Sequence, residues 1–438
     1  MGRLERQYWV ANIAGLGIPR RDRAGGVYEA YVPDPLAERT FTLDGDVAAD
    51  VAEATSAITR LDVEVRALTN TESLARLLLR AESVASSHIE GLRVSPQRLL
   101  RADVARAEGV DVNDATASEV LANIDAMAYA VHDVGGPVTL DRILEVHRRL
   151  LAHTNRARYA GAIRTEQNWI GGSDFNPLRA SFVPPPPQAV SSLLEDLVTF
   201  CNGDQLPAVA QAAIAHAQFE TIHPFADGNG RTGRALIYMV LGRRGLCTRA
   251  TPPISLALAT RAKDYVRGLE ATRYVGSPSA PAATEGMNRW IGFFSAACTR
   301  AVADAESFEQ RVQQLQTEWR GRLGDVRSDS SALELLRLLP EMPILTVRGA
   351  TDALGRTFRA VNRAIEMLVE AKILTPVKAA QRNRVFEARE LLGAFTALER
   401  QLASPDGETR TSPPVRPVPA RPQRRRAGVS TPPPEALP

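Results

Sequence analysis

The 438-residue chain is poor in cysteine, histidine and aromatic side chains. Its three cysteines (Cys201, Cys247, Cys298) stand far apart without paired spacing. That excludes a disulfide framework or a zinc knuckle and fits a reducing compartment. The six histidines form no metal-ligand pairs; His147, His153 and His216 read as surface or packed residues, which leaves His223 set apart. No run of about 18 uninterrupted apolar residues occurs, so no membrane span is expected. The start, Met1-Gly-Arg-Leu-Glu-Arg-Gln-Tyr, is charged and is not followed by an apolar signal core. A cytoplasmic protein is the expectation. Net charge is only +3, so the molecule as a whole does not advertise nucleic-acid binding, and any basic patch must be local.

What is present is enough apolar chain for two or three domains with a substantial core. Residues 1–45 carry Pro, Gly and Asp among short apolar pieces and should wrap loosely on the surface. From about Ala48 the pattern is helical. Leu74, Leu77, Leu78, Ala81, Val84 and Ala85 share one face of a helix with Asn70 or Thr71 as N-cap and Gly91 as stop. Further helices are expected over Ser118–Val134, Leu140–His153, Gln188–Asn202, Ala208–Thr221, Arg231–Arg243, Thr260–Thr272 and Asn288–Leu323. Between them, residues 164–172 read as a short hairpin, and Phe182-Val-Pro-Pro-Pro-Pro as a rigid extended connection.

The most informative run is His223-Pro-Phe-Ala-Asp-Gly-Asn-Gly-Arg-Thr-Gly-Arg234. It combines an imidazole, a carboxylate, an amide, three glycines and two guanidinium groups. Glycines admit a phosphate close to the backbone, and successive N–H groups at a helix start cradle an anion. Arg231 and Arg234 can donate forked hydrogen bonds to phosphate. Asp227 is a hard oxygen ligand for Mg2+, and His223 titrates near neutral pH. A plain turn between two helices is the simpler reading, since Asp-Gly and Asn-Gly favour turns. It accounts for neither the His-Pro-Phe lead nor the arginines. A P-loop is a poorer fit, because no Gly-Lys-Ser/Thr is present.

This run resembles the signature loop of the Fic family, His-Pro-Phe-x-[Asp/Glu]-Gly-Asn-[Gly/Lys]-Arg, with every position filled. The resemblance implies a mostly α protein: a Fic-type helical core with a short β-hairpin flap, to which a winged helix-turn-helix is added. It implies a protein adenylyltransferase (AMPylator), using ATP as co-substrate with Mg2+ and modifying a Ser, Thr or Tyr hydroxyl of a target protein or of itself. His223 would be the catalytic base and Asp227 the metal ligand. Gly228, Asn229, Gly230, Arg231 and Arg234 would bind the nucleotide phosphates. Tyr265, with Leu269, would contact adenine, although Arg273 stands where the family often has asparagine. Gly161–Gly171 resembles the target-aligning flap. Upstream, Ser86-Ser-His-Ile-Glu-Gly91 resembles the family's inhibitory pattern, in which Glu90 would pair with Arg234 and keep the γ-phosphate from seating. That places the chain with members carrying an N-terminal inhibitory helix.

The expected domains are residues 1–110 with the inhibitory helix, the core at 111–324, a winged helix-turn-helix at 325–400, and a disordered Pro/Arg-rich tail at 401–438. In the third, helices over Ser331–Leu339, Val347–Leu354 and Arg356–Ala371 precede two strands. Arg359, Asn362, Arg363, Lys378, Gln381, Arg382 and Arg384 could face DNA through 331–390, or the module could bind protein or form a homodimer. Competing functions are a DNA-binding regulator whose core senses nucleotide, removal of AMP, and transfer from another nucleotide.

Overall fold

The computed structural model describes residues 1–11, 19–67, 71–377 and 384–402. It opens with an antiparallel pair, β1 (Arg3–Trp9) and β2 (Gly26–Val32), in register from Arg3 opposite Val32 to Trp9 opposite Gly26. The helical body follows: α1 (Gly45–Ala67), α2 (Thr71–Ile89), α3 (Pro96–Ala107), α4 (Ala115–His132), α5 (Leu140–Leu151), α6 (Pro187–Cys201), α7 (Ala208–Ile222), α8 (Asn229–Arg243), α9 (Ile254–Thr260), α10 (Ala262–Ala271) and α11 (Pro281–Leu323). The last module contains α12 (Ser331–Leu338), β3 (Ile344–Thr346), α13 (Val347–Leu354), α14 (Phe358–Glu370), β4 (Thr375–Val377), β5 (Val385–Glu387) and α15 (Arg389–Leu402). Its strands form an antiparallel sheet in the order β3-β5-β4.

Helices α7 and α8 form the centre. Every residue of α7 is buried, and so is every residue of α8 as far as Gly242. A helix buried all round must be narrow, and six alanines between Ala208 and Ala217 make α7 narrow while favouring the helical state. Neighbours can then close on it from several sides: α7 packs against α1, α6, α8, α10 and α11. Phe219, Phe225, Trp290 and Phe294, all essentially unexposed, fill the space between, each worth roughly 1.5–3 kcal/mol of apolar burial. Side-chain caps start several surrounding helices, with Asp114 accepting from Ala117, Thr139 from Arg142 and Thr357 from Ala360. The 43-residue α11 runs from this core to the last module, touching α12 and α15.

Four expectations need amendment. Residues 1–45 do not wrap loosely: β2 ends in buried Ala30, Tyr31 and Val32, and the Tyr31 hydroxyl donates to the Tyr274 carbonyl at 2.8 Å. Helix α3 was not anticipated, because its apolar side partly faces a sequence-distant strand, β3. The helix expected over Thr260–Thr272 is α10, and the short α9 before it, ending at the break at Arg261, was not anticipated. The hairpin expected at 164–172 forms no ladder of its own. Its pairing is a single antiparallel bridge between Ile170 and Phe182, because its polar groups are engaged elsewhere, as described below. Lys378, Gln381, Arg382 and the tail from residue 403 lie outside the described residues. Arg359 and Arg363 are exposed, and Arg384 donates to Asn362 at 2.5 Å.

Candidate active site

The run 223–234 is the bend from α7 into α8. Helix α7 ends with His223 in a left-handed conformation (φ 49°, ψ 60°), which is strained for a residue with a Cβ. Its neighbours over-determine it. The His223 amide donates to the Phe219 carbonyl at 2.9 Å, and its carbonyl accepts from Arg164 Nε at 2.9 Å and Asn168 Nδ2 at 3.2 Å. Phe225 points into the core and stacks on His147, with ring centres 3.7 Å apart and planes 5° apart. Asn229 closes the bend on itself, accepting from the Phe225 amide and donating to its carbonyl, both at 2.8 Å. His147 Nδ1 accepts from the Gly161 amide at 3.1 Å, so its proton sits on Nε2 and donates to the Asp227 carbonyl at 2.9 Å. Burial drives the His147 pKa down to about 4, which keeps that neutral tautomer.

The bend delivers the start of α8 as an anion-binding surface. Gly228 has φ 77°, and a Cβ there would meet Leu150 Cδ2 at 2.9 Å, so glycine is required. The helix begins without a side-chain cap, leaving its first amides unclaimed by a capping group. Arg231 is 4% exposed, yet its Nε and Nη1 are buried without a hydrogen-bond partner. Such donors cost free energy unless something accepts from them. Burial lowers the Arg231 pKa.

Arg234, one turn on, is satisfied. Its Nε donates to Ser86 Oγ and its Nη2 to the Ser86 carbonyl, both at 2.8 Å, and Nη2 also meets Glu90 Oε1 at 2.7 Å. Burial works against the Glu90 charge, but Arg234 outweighs it and holds the carboxyl below its ordinary value. Burial likewise opposes the charge on Arg234, and Glu90 raises that pKa above the ordinary range. The Glu90 carboxylate fills the space a Cβ on Gly230 would take, so it lies directly on the start of α8.

His223 is partly buried. Its Nδ1 lies 4.0 Å from Glu220 Oε2 and has no hydrogen-bond partner, and Glu220 Oε1 is also unpartnered. The expected titration near neutrality is not found. Burial, and then the Arg164 charge, push the His223 pKa down to about 4, so the ring is neutral at physiological pH. Burial lifts Glu220 to about 7. Asp227 is half-buried and faces Arg156 Nη1 at 3.3 Å. Among the described residues, no group of three or more His, Cys, Asp and Glu could hold a metal. A single carboxylate suits Mg2+ whose other ligands are phosphate and water oxygens, so the donor set fits a metal arriving with a nucleotide.

The structure therefore gathers His223, Asp227, Gly228, Asn229, Gly230, Arg231, Arg234, Ser86 and Glu90. Tyr265 is enclosed beside Arg234 and not open to the site: it is 4% exposed, packs beside Trp290, and its hydroxyl is 2.8 Å from His216 Nε2. Little of its ring is free for a purine. Arg273 stacks over Phe182, its guanidinium carbon 3.5 Å from the ring centre. Two positioning residues went unrecognised in the sequence. In the sequence His147 reads as a surface or packed residue, and Arg164 is unremarkable within the flap segment.

Residues 137–241 match the model of the Fic/DOC family, and residues 48–132 match that of the Fic/DOC family N-terminal region. Over 131 residues the chain is 37% identical to protein adenylyltransferase fic-1 of Caenorhabditis elegans, covering 29% of this chain and 23% of that protein. Over 221 residues it is 31% identical to protein adenylyltransferase Fic of Culex quinquefasciatus, covering 47% and 41%. The chain thus spans less than half the length of these relatives. The crystal structure of a Fic family protein from Desulfovibrio desulfuricans G20 superposes with a TM-score of 0.50 over 80% of this chain and 97% of that one, at 21% identity, a likeness of fold.

Proposed function

We propose, from the match of residues 48–132 and 137–241 to the Fic/DOC family models, that the chain transfers AMP from Mg-ATP to a Ser, Thr or Tyr hydroxyl of a protein and is restrained by its own Glu90. The relatives named protein adenylyltransferase support the reaction class. The observation that carries the reading is the contrast between two buried arginines three residues apart. Arg231 has free donors, and Arg234 has its donors taken by Ser86 and Glu90. A polyphosphate would satisfy the first and must displace a carboxylate from the second.

The chemistry assigns the remaining roles. Phosphoryl-group transfer needs positioning and charge neutralisation more than covalent help from the protein. The incoming hydroxyl oxygen forms a bond to the α-phosphorus as the α–β bridging P–O bond breaks and pyrophosphate leaves. The hydroxyl proton passes to neutral His223, whose Nε2 is the ring nitrogen not enclosed toward Glu220, a contribution of about 10² to 10⁴ in rate. The start of α8 and both arginines hold the phosphate oxygens. Mg2+, held through Asp227, would neutralise charge on the departing phosphates.

Intact-mass analysis after incubation with Mg-ATP tests this. Glu90→Gly should gain AMP increments by self-modification, wild type much less, and Glu90→Gly/His223→Ala none. Labelling of Glu90→Gly no greater than that of wild type, or labelling that survives loss of His223, rejects the proposal.

A further inference from the structure

Behind α2, on the face away from the bend, lies a cavity of about 260 Å3. Helix α2 divides its residues cleanly. Ser86 and Glu90 reach Arg234, Glu82 accepts from the Ser255 amide at 2.7 Å, and Ser83 and Ser87 hold Asn123. Arg80, Ala81, Val84, Ala85 and His88 sit on the opposite side by helical spacing and form one wall of the cavity. The other walls come from Arg93, from Leu99 of α3, from Leu256 of α9 and from Phe395 of α15.

The lining is apolar with a basic edge and contains no acidic residue. Arg80 pairs through Nη2 with Asp103 at 2.5 Å, while its Nη1 is buried and without a partner. An apolar cavity of about 150 Å3 accepts a benzene-sized molecule, so this one suits a ligand somewhat larger but far short of a long fatty acid. Arg80 is thus already neutralised and its free N–H is closed to the cavity, so it is the exposed Arg93 at the edge that favours a carboxylate over a neutral head group.

We propose that this cavity binds an apolar monocarboxylate of about the size of octanoate, its chain among Val84, Leu99 and Phe395 and its carboxylate on Arg93. The cavity exists with α2 seated. A ligand that fills it stabilises the position in which Glu90 lies on Arg234, and so opposes nucleotide entry. This regulatory half rests on the reading of Glu90 as a restraint; the binding half does not.

Calorimetric titration of sodium octanoate into the full chain, without nucleotide, tests the binding. One equivalent should bind, octanol should bind at least about tenfold more weakly, and Arg93→Gln should cost a similar factor. Ala81→Phe, which fills the cavity, should abolish binding, with thermal melts confirming that both variants fold. Absence of binding, or binding unchanged by both substitutions, overturns the site, and equal binding of octanol overturns its preference for a carboxylate. Octanoate should then lower labelling of wild type by labelled ATP and leave Glu90→Gly unaffected. Bound octanoate that leaves wild-type labelling unchanged while Glu90→Gly labels strongly overturns the regulatory half. If Glu90→Gly never labels, the transferase reading fails and the titration still decides the site.

Discussion

The bend 223–228 and the end of α2 meet at Arg234, and they are held in opposite ways. The bend is fixed largely through its backbone: the carbonyls of Ile222, His223, Pro224, Phe225 and Asp227 all accept hydrogen bonds from Arg164, Asn168, Asn229 or His147. The end of α2 reaches α8 through Ser86 and the Glu90 side chain, and the latter is 38% exposed. One side is set before any ligand arrives, as catalysis by positioning requires. The other ends in the Glu90 side-chain contact, which a more highly charged phosphate can displace. Rigidity and release are thus assigned to different segments of the same pocket.

The strongest way to break this comparison is to loosen the rigid side. Arg164→Gln in the Glu90→Gly background removes four hydrogen bonds made by the guanidinium, to the carbonyls of His223, Glu166, Pro185 and Ile222. Its rate of self-modification should fall by about 10²-fold, because small displacements of a catalytic group carry penalties of that order. A change of less than threefold would mean that the bend holds its shape without Arg164.

A smaller effect sharpens the same point through pH. The proposed mechanism uses His223 in its neutral form, which predominates above its pKa of about 4. In Glu90→Gly, kcat/KM should therefore stay level as pH falls from 8 to about 5 and decline only below that. Loss of Glu90 cannot move this limb upward, since its charge raises the His223 pKa. Arg164→Gln removes a positive charge that depresses the His223 pKa and should shift the limb toward the ordinary 6.5. An acid limb already at 6.5 in Glu90→Gly would contradict the electrostatic account of the site.

How much of this could be read from the sequence depended on the range of the interaction. Helices α4 to α8 were legible within a few residues of their ends, because local periodicity and caps such as Asp114 and Thr139 specify them. The loop residues were legible because they are contiguous. Ser86 and Glu90 were legible through a family pattern. Helix α3 and the β1–β2 pair were not, since much of their burial is supplied by β3, Val183 and Tyr274 far along the chain. Arg164 and His147 escaped for the same reason: they act on the bend from 59 and 80 residues away. An arginine between Ile163 and Thr165 gives no local sign that it will be buried holding carbonyls.

The central claim is that Glu90 occupies the place on Arg234 that ATP requires. Calorimetric titration of Mg-ATP into His223→Ala and into His223→Ala/Glu90→Gly measures this without turnover. The account predicts at least about tenfold tighter ATP binding when Glu90 is absent, with AMP affinity unchanged between the two. Equal ATP affinities in the two proteins would contradict it.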